Sequence, residues 1–442
     1  MKKHPNDAKA EFSMPLHLRD AADEPLLEAE RRPVRRKMPR ASLVAALTLA
    51  IALVPTVATA GSAWWPSRSL AALMRQSRNN AIRQTQYGTY DVRTFGAVLD
   101  GVTDDSAAIQ SAVDQGGRII FPPNATAYAS VPIRISSNTV IDCQNTTIRT
   151  VAGGSIFRAV GSATNPLTKV EIENCNLDGR ATGLGQGAAS SVIYLDYVNG
   201  FSIRHNTVGN CGWWCAQADF SNAGTISTNY FTNTYGDCAG WEQGSDVKLL
   251  RNTCDGLSDG GFSANVGASS GTIEGNVVKN GRANSFGIEA AGAHDVAISS
   301  NIVEGGYGQN GIRLLANDGM DTYNITVVDN VVGNARSGRF CVNLTAPNQG
   351  SHPNDPIIIA NNLLNCGGGN GIYVWADDAT VRGNTVTTAD TAIVLDGNSS
   401  TTSNNLYVKD NTIVGAATGV SSAPSSVVQN AVTLDNVTFP AE

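Results

Sequence analysis

The sequence predicts an all-β fold, a parallel β-solenoid of about ten coils closed at its N-terminal end by a short capping helix. Three observations carry this. The stretch 286–305, FGIEAAGAHDVAISSNIVEG, recurs in altered form from about residue 190 onward, and its Asn returns at 206, 229, 252, 276, 301, 330, 362, 384 and 411. Each repeat alternates apolar and polar residues with period two, is rich in Val and Ile, and shows no helical period, as short strands do. The strands are separated by Gly, Asn, Asp and Ser, in a chain with 45 Gly and only 16% charged residues. An Asn repeated at one bend can bond its counterpart one coil on and tolerates a left-handed backbone; Asn as an ordinary surface turn residue gives the same solenoid.

Taken in order, residues 1–40 are charged and end in RRPVRRKMPR, and residues 41–60 carry no charge and close on Ala58-Thr59-Ala60. That pattern fits a signal peptide with a long basic leader or an uncleaved signal anchor. Either reading exports the rest, as a secreted or periplasmic protein or one anchored through 41–60. Residues 61–87 read as a linker or lead-in helix, and residues 88–438 as the solenoid. At 104–113, Thr103 or Asp104 can cap a helix with Ala108, Ile109, Ala112 and Val113 on one apolar stripe, ended by Gly116-Gly117 before a strand at 118–121. An open solenoid end exposes strand edges, and this helix is placed to cover them.

Beyond residue 60 the chain holds 31 acids against 21 bases. An acidic body argues against nucleic acid as partner, and the expected membrane contact is confined to the N-terminal anchor. All 8 Cys lie in the exported part, an even number that suits an oxidising compartment. Cys143 with Cys175 and Cys215 with Cys238 stand at similar places in successive repeats and are the expected pairs; the alternative is buried, unpaired Cys. No Cys/His spacing suggests zinc.

The run FGAVLDGVTDDSAAIQSAVDQGG, followed by IIFPP, resembles the N-terminal signature of the pectate-lyase-like, rhamnogalacturonase and epimerase-type right-handed parallel β-helix proteins. With the repeats, the resemblance covers roughly residues 88–435. It implies a right-handed β-helix and a polysaccharide partner, and leaves hydrolase, lyase, epimerase or phage-spike function open. The Gly-His-Gly and Arg-Ile-Lys of the polygalacturonase group and the Asp-Pro-His-Asp of secreted mannuronan epimerases are missing. Asp104 and Asp105 are adjacent acids, but in this motif they read as helix-capping residues.

In such proteins the polymer lies along the strand that opens each coil. Counting back from the repeat Asn gives one outward row of Tyr194, Gln217, Gly240, Ser263, Glu289, Arg313, Asn343 and Tyr373. The next is Asp196, Asp219, Glu242, Asn265, Ala291, Leu315, Thr345 and Trp375. Three acids on successive coils would sit about 4.8 Å apart, where a shared proton or a cation must relieve their repulsion. A protonated and an ionised carboxyl side by side suit glycoside hydrolysis, with Asp219 and Glu242 as the pair and Asp196, Asp259, Glu289 and Arg313 around them. Elimination or C5 epimerisation on a uronate polymer is the alternative, with Arg313 neutralising the uronate and the acids holding calcium. Otherwise no cofactor is expected. The remaining alternative is a non-catalytic carbohydrate-binding or spike-like protein whose acids solubilise the face. Sugar rings stack on aromatics, so Trp213, Trp214, Tyr235, Tyr307, Tyr373 and Trp375 are candidate contacts, with Tyr194, Gln217 and Asn343 as polar ones; Asp237, just before its strand, can reach the groove. Trp241 and Phe262 point inward by alternation, and His205 and His294 fall away from the groove.

Overall fold

The computed structural model describes residues 88–183, 190–305, 307–345, 356–375, 377–397, 403–424 and 427–440. The segments expected at 1–40, 41–60 and 61–87 lie outside them. Among the described residues no helix is long and apolar enough to cross a membrane.

Alternating sequences of four to seven residues separated by turn formers fold as strands that bury one face and pair coil to coil. They build three sheets of 14, 14 and 12 strands, all parallel, with one further two-strand ladder. The solenoid therefore has about 13 turns rather than the ten expected. The third sheet carries the expected groove. Its strands are β1 (Ile133–Arg134), β2 (Phe157–Val160), β3 (Ile193–Asp196), β4 (Ala216–Asp219), β5 (Ala239–Glu242) and β6 (Gly260–Asn265). β7 (Phe286–Ala291), β8 (Ile312–Leu315), β9 (Phe340–Thr345), β10 (Asn370–Trp375), β11 (Thr391–Leu395) and β12 (Thr418–Ser422) complete it. Inward residues stack in files, such as Leu195, Ala218, Trp241, Ala264, Ala290 and Leu314, all fully buried. Burial of this kind is worth roughly 1.5–3 kcal/mol for each large aliphatic side chain. Phe262 and Trp241 lie in this core, as alternation requires.

The repeat Asn forms a continuous buried ladder. Asn276 Nδ2 donates to Asn301 Oδ1 (3.0 Å) and to the Leu249 carbonyl (2.9 Å), while its Oδ1 accepts from the Asn252 backbone N–H (2.8 Å) and Nδ2 (3.0 Å). The pattern repeats from Asn206 to Asn436. The left-handed residue is the one before each Asn (His205, Thr228, Arg251, Ser300, Asp329), so the Asn is selected for its amide and not for its backbone. At the N-terminal end Cys175 takes the ladder position: its N–H donates to Asn206 Oδ1 (2.9 Å) and its sulfur is joined to Cys143.

Cys143–Cys175 is one of the expected pairs. Cys215 and Cys238 are not joined to each other: the disulfides are Cys211–Cys215, Cys238–Cys254 and Cys341–Cys366. Cys215 and Cys238 do stack in successive coils, just before β4 and β5, but each is joined to a Cys of another sheet, in the strands Thr207–Cys211 and Thr253–Leu257. The helix α1 (Ser106–Val113) buries Ile109, Ala112 and Val113 and packs against β1 and the strand Gly117–Ile120. Its capping residue is Asp105, one position later than expected. The Asp104 carboxylate nevertheless accepts from the Ser106 N–H (3.0 Å) and the Ser130 N–H (3.1 Å), and Asp105 accepts from the Val98 N–H (2.7 Å), so both acids are held in hydrogen bonds.

Candidate functional site

Parallel pairing in register puts both outward rows where counting from the Asn places them. Tyr194, Gln217, Gly240, Ser263, Glu289, Arg313, Asn343 and Tyr373 face one another strand by strand, as do Asp196, Asp219, Glu242 and Asn265. At the N-terminal end the first row continues to Arg158 and Arg134.

Asp219 and Glu242 occupy the ends of β4 and β5, half-buried. Burial pushes the Asp219 carboxyl up to about 6; hydrogen bonds from Tyr194 and Gln217 favour its ionised form, and the Asp196 charge opposes it. Gln217 Nε2 donates to Asp219 Oδ2 (3.2 Å), and its Oε1 is fixed by Ser191 Oγ (2.6 Å). Asp219 Oδ1 is buried with no hydrogen-bond partner among the described residues. Glu242 is pushed up to about 7 by burial, with the Asp219, Glu289 and Asp318 charges acting in the same direction. Asp196 is raised by burial against the pull of Arg158. Tyr194 has Arg158 over its ring at 4.7 Å, and burial and the neighbouring acids keep its hydroxyl protonated.

The next coils form a closed cluster. Glu289 is 4% exposed and ion-paired with Arg313, whose Nη1 also donates to Gln309 Oε1 (3.0 Å) and whose guanidinium lies 3.6 Å over the Phe286 ring. With its amide oriented to face acceptors, Asn265 donates to Glu289 Oε1 (3.1 Å). Asp237, 3% exposed, accepts from the Gly260 N–H (2.8 Å) and from Ser263 Oγ. Burial, then the charge of Asp259, raises its pKa. Asp259 also bears on Glu289, which burial raises despite Arg313. β6 and β7 are buried at every position, so the open groove expected along the whole sheet is closed at its middle.

Several expected sugar contacts have no free ring face. Trp214 is 3% exposed and lies on Gly240, where any Cβ would come within 2.8 Å of it and 2.4 Å of the Ser263 carbonyl. Tyr307 is 2% exposed in the core with an unpartnered hydroxyl, and Trp375 is 6% exposed in a small outer cluster with Tyr373. Trp214 and Tyr307 lie in the turns before their strands, which period-two alternation does not describe, whereas Trp375 ends its strand and is covered by its neighbours. Tyr373 donates to Asp396 Oδ2 (2.9 Å) and Asn343 bonds Thr345. Trp213 and Tyr235 stay half-buried; the Gly183 N–H donates to the Tyr235 hydroxyl (3.3 Å), and Arg282 lies 5.5 Å from its ring centre. His205 and His294 lie off the third sheet, His294 stacked on Tyr323 at 4.6 Å. Among the described residues no three His, Cys, Asp or Glu side chains converge to hold a metal ion.

No protein-family model and no curated protein sequence matches the chain. Solved structures do. The A-module of the Azotobacter vinelandii mannuronan C-5 epimerase AlgE4 superposes with a TM-score of 0.54 at 19% identity, covering 80% of this chain and 97% of that one. The N-terminal fragment of bacteriophage Phi29 gene product 12 gives 0.60 at 17% identity, over 83% and 68%. The catalytic unit of a thermostable GH87 alpha-1,3-glucanase from Streptomyces thermodiastaticus gives 0.53 at 12% identity, over 80% and 69%. The chain thus has the right-handed parallel β-helix fold of the pectate-lyase-like proteins.

Proposed function

We propose that this protein is an exported polysaccharide-active enzyme that hydrolyses glycosidic bonds at Asp219 and Glu242. The observation that carries the reading is the pairing of these carboxyls on adjacent strands, their pKa values drawn to about 6 and about 7 first by burial and then by neighbouring acids, Asp196 for Asp219 and Asp219 for Glu242. Between those values Glu242 holds a proton to give to the leaving oxygen, and Asp219 is ionised to attack or to activate water. Gln217 and Tyr194 donate to Asp219 and favour its charged form. Glu289, enclosed in an ion pair with Arg313, acts by its charge on Glu242 and not by touching substrate. Four disulfides among the described residues support export to an oxidising compartment.

Elimination or C5 epimerisation on a uronate polymer is the second reading, favoured by the fold likeness to an epimerase module. It ranks lower because Arg313, the cation it calls on, is engaged by Glu289, Gln309 and Phe286. The test is incubation of the full chain with neutral and uronate-containing polysaccharides, following reducing ends and ultraviolet absorbance together. Hydrolysis gives new reducing ends without a double bond. Absorbance rising in step with them identifies elimination, and retention on a polymer with neither signal identifies epimerisation or simple binding.

A further inference from the structure

Arg134 and Arg158 are directly opposed on β1 and β2, both outward, in the row that continues into Tyr194 and Gln217. Like charges facing each other across adjacent strands, about 4.8 Å apart, destabilise a sheet unless something offsets them. Among the described residues neither guanidinium makes an ion pair within 4 Å; Arg158 feels the Asp196 carboxylate only at longer range. Both arginines line a hollow of about 1390 Å³ between the sheet and α1. The acids that share its wall are held away from the arginines by neutral donors, Asp104 by Ser106 and Ser130 and Asp114 by Gln110 Nε2 (2.8 Å), and neither pairs with a guanidinium. Arg158 lies over Tyr194, which bonds Asp219, so the arginine pair stands N-terminal to the proposed catalytic carboxyls in the same sheet: Arg158 is two strand spacings, about 10 Å, from the strand of Asp219 and three from that of Glu242, and Arg134 is one spacing further from each.

We propose that Arg134 and Arg158 form an anion subsite at the N-terminal end of the groove, and that the polymer carries a carboxylate or sulfate ester which both guanidiniums clasp while Asp219 and Glu242 act further along the chain. Two guanidiniums side by side offer parallel N–H forks to one planar or tetrahedral oxyanion, and the bound anion removes their repulsion. The chain beyond residue 60 is net acidic and the carboxyls of the groove lie toward its middle, so the pair also sets which end of the groove the charged residue enters.

This rests on the reading of the third sheet as a polysaccharide groove, and the test is kept apart from catalysis. Binding of the full chain, carrying Asp219→Asn so that no cleavage intrudes, is measured to alginate and to its carboxyl-reduced form, and to dextran sulfate and dextran. The expected result is at least tenfold tighter binding to one charged polymer than to its neutral counterpart, weakening with salt. Arg134→Gln/Arg158→Gln should abolish that preference while binding of the neutral form and circular dichroism stay unchanged; Arg134→Lys/Arg158→Lys should retain part of it. Preference for alginate assigns a carboxylate, and preference for dextran sulfate a sulfate ester. Equal binding of charged and neutral forms, or a preference that survives the double Gln substitution, overturns the subsite whether or not the protein proves to be a hydrolase. Arginine-dependent binding without any cleavage by the unsubstituted chain leaves the subsite standing and removes the hydrolase reading.

Discussion

The proton positions of Asp219 and Glu242 decide what this groove can do, and each neighbour moves them in a stated direction. Asp196 raises Asp219 and Tyr194 lowers it. In a pH profile of kcat/KM, Asp196→Asn should therefore move the acidic limb to lower pH and Tyr194→Phe to higher pH. A pair of variants that moved the limb in the same direction would show that something other than the Asp219 carboxyl is titrating. Loss of the proton donor in Glu242→Gln should cut kcat at least about a hundredfold, in the range general acid catalysis supplies, with the circular dichroism unchanged. The same groups set a pH dependence of stability. Above pH of about 4 the unfolded chain has released these protons. The folded chain keeps them until about 6 and about 7, so it binds more protons across that window and stability falls as pH rises through it. Calorimetry should find a lower Tm on the alkaline side, with a shallower decline in Glu242→Gln.

At the scale of the element, the Asn ladder and the sheet register belong together. Asn276→Ala removes four hydrogen bonds at a fully buried position and leaves the Asn252 backbone N–H without its acceptor, while Asn301 Oδ1 keeps only the residue-276 backbone N–H, so it should cost about 2–4 kcal/mol in denaturant unfolding. A cost below about 0.5 kcal/mol would mean the ladder only marks the bend. The ladder also explains how much was legible from sequence. Tyr194, Gln217 and Gly240 each stand 12 residues before their Asn (206, 229 and 252), so counting from the Asn reproduced the register there, including Asp196, Asp219 and Glu242; in the later coils the spacing varies and the alternation of each strand carried the rows. The rule ended where the Asn ended: the coils before Cys175 carry no ladder amide, so Arg134 and Arg158 went unseen and the coil count fell short. Alternation likewise says nothing about turns that fold back, and Trp214 over Gly240 and Asp237 under Ser263 close the middle of the groove for that reason. The pairs Cys211–Cys215, which closes one turn, and Cys238–Cys254 join residues of different files, whereas repeat spacing relates only residues within one file.

The whole molecule is a row of coils, each stabilised by its neighbours, with three disulfides joining the second and third sheets and one set on the ladder. Reduction should lower the thermal midpoint, because each bond limits the unfolded chain; an unchanged midpoint in reductant would mean the coils hold without them. A rigid solenoid keeps Asp219 and Glu242 at strand spacing whatever the substrate does, and that makes the pair the centre of the account. The most direct measurement is the pH dependence of reducing-end release by the full chain, beside Glu242→Gln, on whichever polysaccharide it cleaves. Paired carboxyls give a bell with apparent limbs near about 6 and about 7 that belong to the pair, no unsaturated product, and near-complete loss of the bell in the variant. Undiminished cleavage by Glu242→Gln, or an unsaturated product accompanying every new end, would contradict it.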